Sequence, residues 1–223
     1  LSLKIFGALA LGFIYQFYYT GGDTFAYHTH GSRHIWEAFM ESPDKGFRLL
    51  FSNGEFGPGM WAISDKIWYF RDQKSFFIIR IAAVLDLLTF SSYSATAVLF
   101  SVISFIGGWM MFLTFYKKYP QLHRWLALSC LFVPSIIFWG SGILKDTITL
   151  AFVGISTFCI NRLFVERKMS MGYVVLLVFS IYVVSSVKVY IAMSFIASAI
   201  VWVFFYYFVL IDRLAIQILI IPF

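Results

Sequence analysis

The residues whose types and spacing could do chemistry are few, because the chain carries little charge. Asp23 follows Gly21-Gly22 at the end of an apolar run. A carboxylate there meets a lipid headgroup and a soluble substrate together. With a donor phosphate it could also hold Mg²⁺ or Mn²⁺, which usually bind through one or two carboxylates plus phosphate oxygens. Asp is equally a good helix cap, and capping alone would account for it. Tyr27, His30 and His34 recur at helical spacing behind Asp23, where a plain solvent face would more often carry Lys and Glu. His30 and His34 are four apart and could reach one metal ion. Interfacial histidines bonded to headgroups or water are the plainer alternative.

Lys145-Asp146 is the second constellation, in the stretch Phe138-Trp139-Gly140-Ser141-Gly142-Ile143-Leu144 and onward. An ionisable pair at the end of an apolar helix is costly to bury and points to a site. Lys145 suits a phosphate. Asp146 also suits the positive end of the next helix, which is its simpler role. Lys188 and Arg80 would add positive charge on the same side, or else only snorkel. Among nucleophile and nucleotide motifs, G-x-S-x-G, the P-loop and the Rossmann fingerprint are all missing from the sequence.

The elements that must position these residues are apolar helices. Of 223 residues, 61% are hydrophobic and 13% charged, about half the charge of a soluble domain. Aromatics reach 21%, and Trp and Tyr suit the headgroup region. The net charge of +6 forms no basic stripe, so nucleic acid is not the expected partner. Cys130 and Cys159 lie inside apolar runs without basic neighbours, which implies neither a disulfide framework nor an activated thiol.

A spanning helix needs ~20 mainly apolar residues. Candidates are Ile5 to Tyr19, Tyr93 to Tyr116, Trp125 to Trp139, Ile148 to Phe164, Met171 to Ser186 and Val189 to Leu210, with another beginning at Leu214. Phe76 to Phe90 holds Arg80 and Asp86 and reads as interfacial or re-entrant. The expected fold is all-α: a polytopic transmembrane helical bundle, one membrane domain over residues 1–223, read as a fragment of a longer chain. Lys117, Lys118, Arg124, Arg162, Arg167, Lys168, Arg213 and Lys4 fall on one side, which the positive-inside rule makes cytoplasmic. Residues 20–92, Lys145 and Lys188 are then external.

Two interfacial amphipathic helices are expected in that external segment. In the first, Asp23 caps the start. Asp23, Tyr27, His30, His34, Glu37 and Glu41 share the aqueous face; Phe25, Ile35, Trp36, Phe39 and Met40 share the other. Pro43 lies just past its end. The second covers Met60 to Arg71, with Met60, Ile63, Ile67 and Phe70 at helical spacing. Asn53-Gly54 and Gly57-Pro58-Gly59 mark turns between them.

In order and spacing the layout resembles the GT-C superfamily of membrane glycosyltransferases, the polyprenyl-phosphate-sugar-dependent group with protein O-mannosyltransferases and aminoarabinose transferases. The resemblance rests on Gly22-Asp23-Thr24 after the first helix, the two juxtamembrane helices, and Phe77 to Ile81. It continues through Phe115-Tyr116-Lys117-Lys118-Tyr119-Pro120 and Pro134-Ser135-Ile136-Ile137-Phe138-Trp139 running into Lys145-Asp146. It implies transfer of a sugar, with inversion, from a polyprenyl-phosphate carrier to a glycan, lipid or protein acceptor outside the cytoplasm. The setting implied is a multi-pass protein of a bacterial inner membrane with its site facing the periplasm. Asp23 would be the general base or help hold a metal, Asp146 would support the site, and Lys145, Lys188 and Arg80 would face the donor phosphate. The family often has a paired acid where this chain has Thr24. A polysaccharide polymerase of the O-antigen type, favouring external arginines, is the competing enzyme reading. A non-catalytic membrane subunit within a larger complex is the competing structural one.

Overall fold

Breakers divide the apolar runs into helices. The computed structural model describes residues 1–55 and 61–209; the segment beginning at Leu214, the turn Gly57-Pro58-Gly59 and the position of Met60 lie outside the described residues. The described residues form helices and loops without a strand. Helix α1, Ser2–Phe17, buries Gly7, Ala8 and Gly12 and turns Phe6, Phe13 and Phe17 outward. It ends where Thr20, Gly21 and Gly22 take positive φ.

Residues 23–41 are helical throughout but in three pieces: α2 (Asp23–Tyr27), a π turn (His28–Ser32) and α3 (Arg33–Glu41). The packing corrects the expected wheel. The buried positions Thr24, His28, Gly31, Ile35 and Ala38 recur at three- and four-residue spacing through the π turn, and they set the packed face differently from the one expected. Tyr27, expected on the aqueous face, is buried, and Met40, expected on the apolar face, is exposed. Pro43 does more than follow the end of α3. It opens a further helix, α4 (Pro43–Leu50), where its missing N–H costs no hydrogen bond. The helix expected over Met60 to Arg71 is reduced to the single turn α5 (Trp61–Ser64). A tighter chain of turns follows, held by Lys66 N–H to the Ile63 carbonyl, Ile67 N–H to Ser64 and Phe70 N–H to Ile67. Ile67 and Phe70 are still buried, so the apolar spacing served packing rather than a helix.

Helix α6 (Gln73–Thr89) is capped by Asp72, and Phe90 and Ser91 end it with φ 52° and 54°. Then come α7 (Tyr93–Lys118), α8 (His123–Ala127) with a π turn at Leu128–Phe132, and α9 (Pro134–Phe138). The expected span Trp125 to Trp139 is therefore not one helix. Val133 is extended (φ −64°, ψ 127°), as the residue before a proline prefers. A buried non-helical stretch, residues 140–144, leads to α10 (Lys145–Ile160), which continues as a π turn over Asn161–Val165. Helices α11 (Met171–Val187) and α12 (Val189–Val209) complete the described chain.

Among the described residues three helices are long and apolar enough to cross a membrane: Tyr93–Lys118, Lys145–Val165 and Val189–Phe208. Ser2–Phe17 and Met171–Val187 are shorter apolar helices. Helices α7 and α10 run parallel and touch backbone to backbone. A Cβ on Gly107 would lie 2.1 Å from the Ala151 carbonyl oxygen, and one on Gly154 would lie 2.2 Å from that of Gly107. Small residues at a crossing let helices approach this closely. One end of the pair is marked by Lys117 Nζ, 3.7 Å from Glu166 Oε1. The other end carries Tyr93 and Lys145. Helix α11 runs back, and Lys188 bonds Asp146; α12 returns, with Tyr206 reaching the Val165 carbonyl at 3.4 Å.

Among the described residues the basic side chains divide between the two ends as the loops predicted, with one correction; Arg213 lies outside the described residues. Lys4 belongs to neither end. It is 4% exposed and sits inside the bundle beside Ser104, midway along α7. Helix α6 has both ends at the Lys145 end: Asp72 pairs Lys145 there, and Asp86 binds Thr96 in the first turn of α7. It lies across the bundle, under residues 23–41. Tyr27 meets Ser75, Gly31 meets Ile79 and Ser32 meets Asp86 in parallel.

Candidate functional site

The end of the bundle roofed by residues 23–41 and α6 gathers most of the sequence-flagged residues. Gly22 positions Asp23. It takes φ 132°, and a Cβ there would lie 2.4 Å from the Tyr15 ring, so glycine alone lets the chain turn flat against that ring. Gly22 is also the helix cap. Asp23 stands one residue inside, in the first helical turn, without a capping hydrogen bond, which corrects its expected capping role. Its carboxylate is exposed, and among the described residues it has no hydrogen bond or ion pair. Tyr15 meets Trp139 edge-on at 6.5 Å between centroids.

Tyr27 lies one turn further on. Burial first, and then the charge of Asp23, raise its phenol far above the usual value. It hydrogen-bonds Ser75, whose hydroxyl donates to Asp72 Oδ2 at 2.5 Å. Partial burial works to raise the Asp72 carboxyl. The Ser75 hydroxyl, the Lys145 charge and backbone N–H groups outweigh it and hold that carboxyl below the usual range. Lys145 Nζ lies 3.6 Å from Asp72 Oδ2. Lys145 is followed in the chain by Asp146, which accepts from Lys188. Burial lowers Lys188, but Asp146 more than offsets this and keeps its ammonium above its ordinary value.

Below this rim runs a groove of about 380 Å³ between α9, α10 and α12, walled by Ile136, Trp139, Gly140, Leu150 and Ile191, with Asp146 at its mouth. Apolar walls with an ion pair, Asp146 and Lys188, at the mouth suit an amphiphile with a polar head.

Arg80, His30 and His34 do not join this rim. Arg80 donates to the Ser52 carbonyl and lies over the Phe76 ring at 4.6 Å. The His30 ring stacks on Trp68 at 4.2 Å, and His34 Nδ1 is 3.1 Å from Glu37 Oε2. Among the described residues no three His, Cys, Asp or Glu side chains converge to hold a metal ion. Asp23 can offer such an ion one carboxylate.

Two polar groupings were not anticipated. Asp72 sits in the plain polar run Arg71-Asp72-Gln73-Lys74, although an Asp just ahead of an apolar helix is a start signal. Asp86 is fully buried and accepts from Ser32 at 2.6 Å and Thr96 at 2.5 Å, with His28 Nε2 3.5 Å away. The ring nitrogens of His28, buried in the π turn, have no hydrogen-bond partner among the described residues. This cluster joins the roof to α7, behind the rim. Comparison of the chain with protein-family models, with curated proteins and with solved structures finds no match.

Proposed function

We propose that this protein transfers a sugar from a polyprenyl-phosphate donor to an acceptor hydroxyl, at the membrane surface on the non-cytoplasmic side. In this reading the chain crosses the membrane several times, with the Lys145 end outside. The observation that carries it is a carboxylate, Asp23, exposed and without a partner among the described residues, at the bundle end that also holds Lys145 and Lys188.

The chemistry needs a base beside the acceptor oxygen and positive charge beside the departing phosphate. Asp23 takes the hydroxyl proton. The acceptor oxygen bonds to the anomeric carbon, the carbon–oxygen bond to phosphate breaks, and the phosphate leaves with the electron pair, inverting the centre. Lys145 and Lys188 exchange their carboxylate partners for the phosphate. Tyr27, held protonated, is a neutral hydrogen-bond donor at this end. Asp23 would offer one carboxylate to a divalent cation brought by the donor, which would supply positive charge to the departing phosphate.

Radiolabelled sugar transfer from a polyprenyl-phosphate donor, in membranes holding the protein, tests the proposal. Label should appear in acceptor with inverted anomeric configuration. Retention of configuration, or no transfer across a panel of donors, would overturn it.

A further inference from the structure

The mouth of the groove is electrically balanced. Lys145 is paired with Asp72, and Lys188 with Asp146. On these groups alone the groove would gain nothing by taking a phosphate.

Lys4 changes that balance. Its ammonium donates to Ser104 Oγ at 2.9 Å, the Ile136 carbonyl at 2.9 Å and the Gly140 carbonyl at 2.7 Å. All three acceptors are neutral, so the three N–H bonds are satisfied while the charge is not cancelled. Among the described residues no carboxylate pairs with it. Burying such a charge is costly unless something compensates it.

Ile136 and Gly140 both wall the groove, and their carbonyls point back to Lys4. The separation is thin: a Cβ on Gly140 would lie 3.0 Å from Lys4 Nζ and 2.8 Å from Leu150. Glycine therefore keeps a fixed positive charge directly behind the groove wall.

We infer that the groove between α9, α10 and α12 is a binding site for the phosphate head of a polyprenyl phosphate, and that Lys4 is the residue that makes it select an anion. The inference rests on the polyprenyl-phosphate reading above. It adds that the selecting charge is a buried lysine with no direct ligand contact rather than the exposed lysines at the rim. Lys4 acts through the wall as a positioning and field-setting residue. The rim lysines are free to trade partners as ligand comes and goes.

The test compares binding of a polyprenyl phosphate with that of the matching polyprenol, to full-length protein in uncharged lipid nanodiscs. Wild type should prefer the phosphate by about tenfold, the effect of one charge on the order of 10 Å away in a protein-like dielectric. Lys4→Met should bring the preference close to unity while binding the alcohol normally. A folded Lys4→Met variant with wild-type preference overturns the inference. Salt decides the matter on wild type alone, whether or not that variant folds. A buried charge is screened little, so the preference should persist at 1 M NaCl; its disappearance would assign selection to the rim and overturn the inference. Strong phosphate preference without sugar transfer would instead sink the transferase reading and leave this site standing.

Discussion

Lys145 Nζ lies 3.6 Å from Asp72 Oδ2, so the head of α10 is tied to the cap of α6. Both groups are partly exposed, and a pair of that kind contributes at most about 1 kcal/mol. Its interest is therefore functional. Asp72 occupies the cation that a donor phosphate would use. Asp72→Asn should leave thermal stability within about 1 kcal/mol of wild type and lower the KM for donor, because Lys145 no longer has a competitor to leave. Lys145→Gln should raise that KM several-fold with little change in kcat. Steady-state kinetics on both variants checks this, and a raised KM in Asp72→Asn would contradict the partner exchange.

The opposite end offers a pH test. Burial works to raise the Glu166 carboxyl, but Arg162, Lys117 and Lys168 outweigh it and hold it below its ordinary value. A carboxyl depressed by folding contributes stability that is full above its unfolded pKa, near 4.5 here. That stability is lost as pH falls through the lower folded pKa. Thermal unfolding in detergent should thus weaken below about pH 4.5, by no more than about 1 kcal/mol from this cluster. Glu166→Gln should start less stable at neutral pH and show a flatter acid limb. An identical acid limb in the two proteins would remove Glu166 as its source.

How far the sequence could be read is clearest from particular residues. Helices α7, α10 and α12 announce themselves, because long apolar runs without breakers have few other solutions. The gathering of Lys145 and Lys188 at one end follows from helix parity alone. Tyr27 was misplaced because it lies at the edge of its face, beside buried Thr24 and His28, where the roof packs against Ser75 of α6. The second juxtamembrane helix was overdrawn because buried turns can carry the same apolar spacing as a helix. Lys4 was counted with the cytoplasmic set because a lysine beside an apolar run usually snorkels. Its partners Ser104, Ile136 and Gly140 lie 100 or more residues away, and no local pattern encodes them. The Asp86 cluster was hidden for the same reason, since Ser32 and Thr96 become its ligands only when the roof packs on α7.

That cluster should be the most sensitive polar spot in the fold. Asp86→Ala leaves the Ser32 and Thr96 hydroxyls and His28 buried without their shared acceptor. A loss of about 3–5 kcal/mol is expected, as when one partner of a buried charged network is removed. Asp86→Asn, which keeps an acceptor oxygen, should cost about 1–3 kcal/mol. Denaturant melts of both variants would measure this, and equal, small losses would mean that the cluster is not tightly coupled.

The helix crossing gives a steric prediction. Gly107→Ala would drive a Cβ into the Ala151 backbone, which cannot rotate away as a side chain could. Forcing volume into a tight contact costs about 1–3 kcal/mol. Gly172→Ala, whose Cβ would meet only Ser170 Oγ at 3.7 Å, is the matched control and should be nearly neutral. Comparable melting of the two variants would show that α7 and α10 separate more easily than their backbone contact implies.

Sidedness can be checked independently of activity. In a Cys130→Ser, Cys159→Ser background, a cysteine at Asn53 should react with an impermeant thiol reagent in intact cells, and one at Lys168 only after permeabilisation. Labelling of both in intact cells, or the reversed pattern, would place the Asp23 end inside and remove the proposed donor chemistry.

Asp23→Asn is the decisive substitution. Asparagine keeps the size of the side chain, and Asp23 makes no capping bond that could be lost. The helix end loses one favourable charge, about 0.3–1 kcal/mol at an exposed first turn. Folding should therefore survive, and a change in activity can be read as chemistry. A general base contributes roughly 10²–10⁴-fold, so kcat for sugar transfer should fall by that factor. The KM for donor should hold, because Lys145 and Lys188 are untouched. The partner variant Tyr27→Phe removes a buried phenol and its bond to Ser75 but not the base. It should lose some stability and keep most of its rate. If Asp23→Asn transfers sugar at the wild-type rate while Tyr27→Phe does not, the base has been assigned to the wrong residue of this helix.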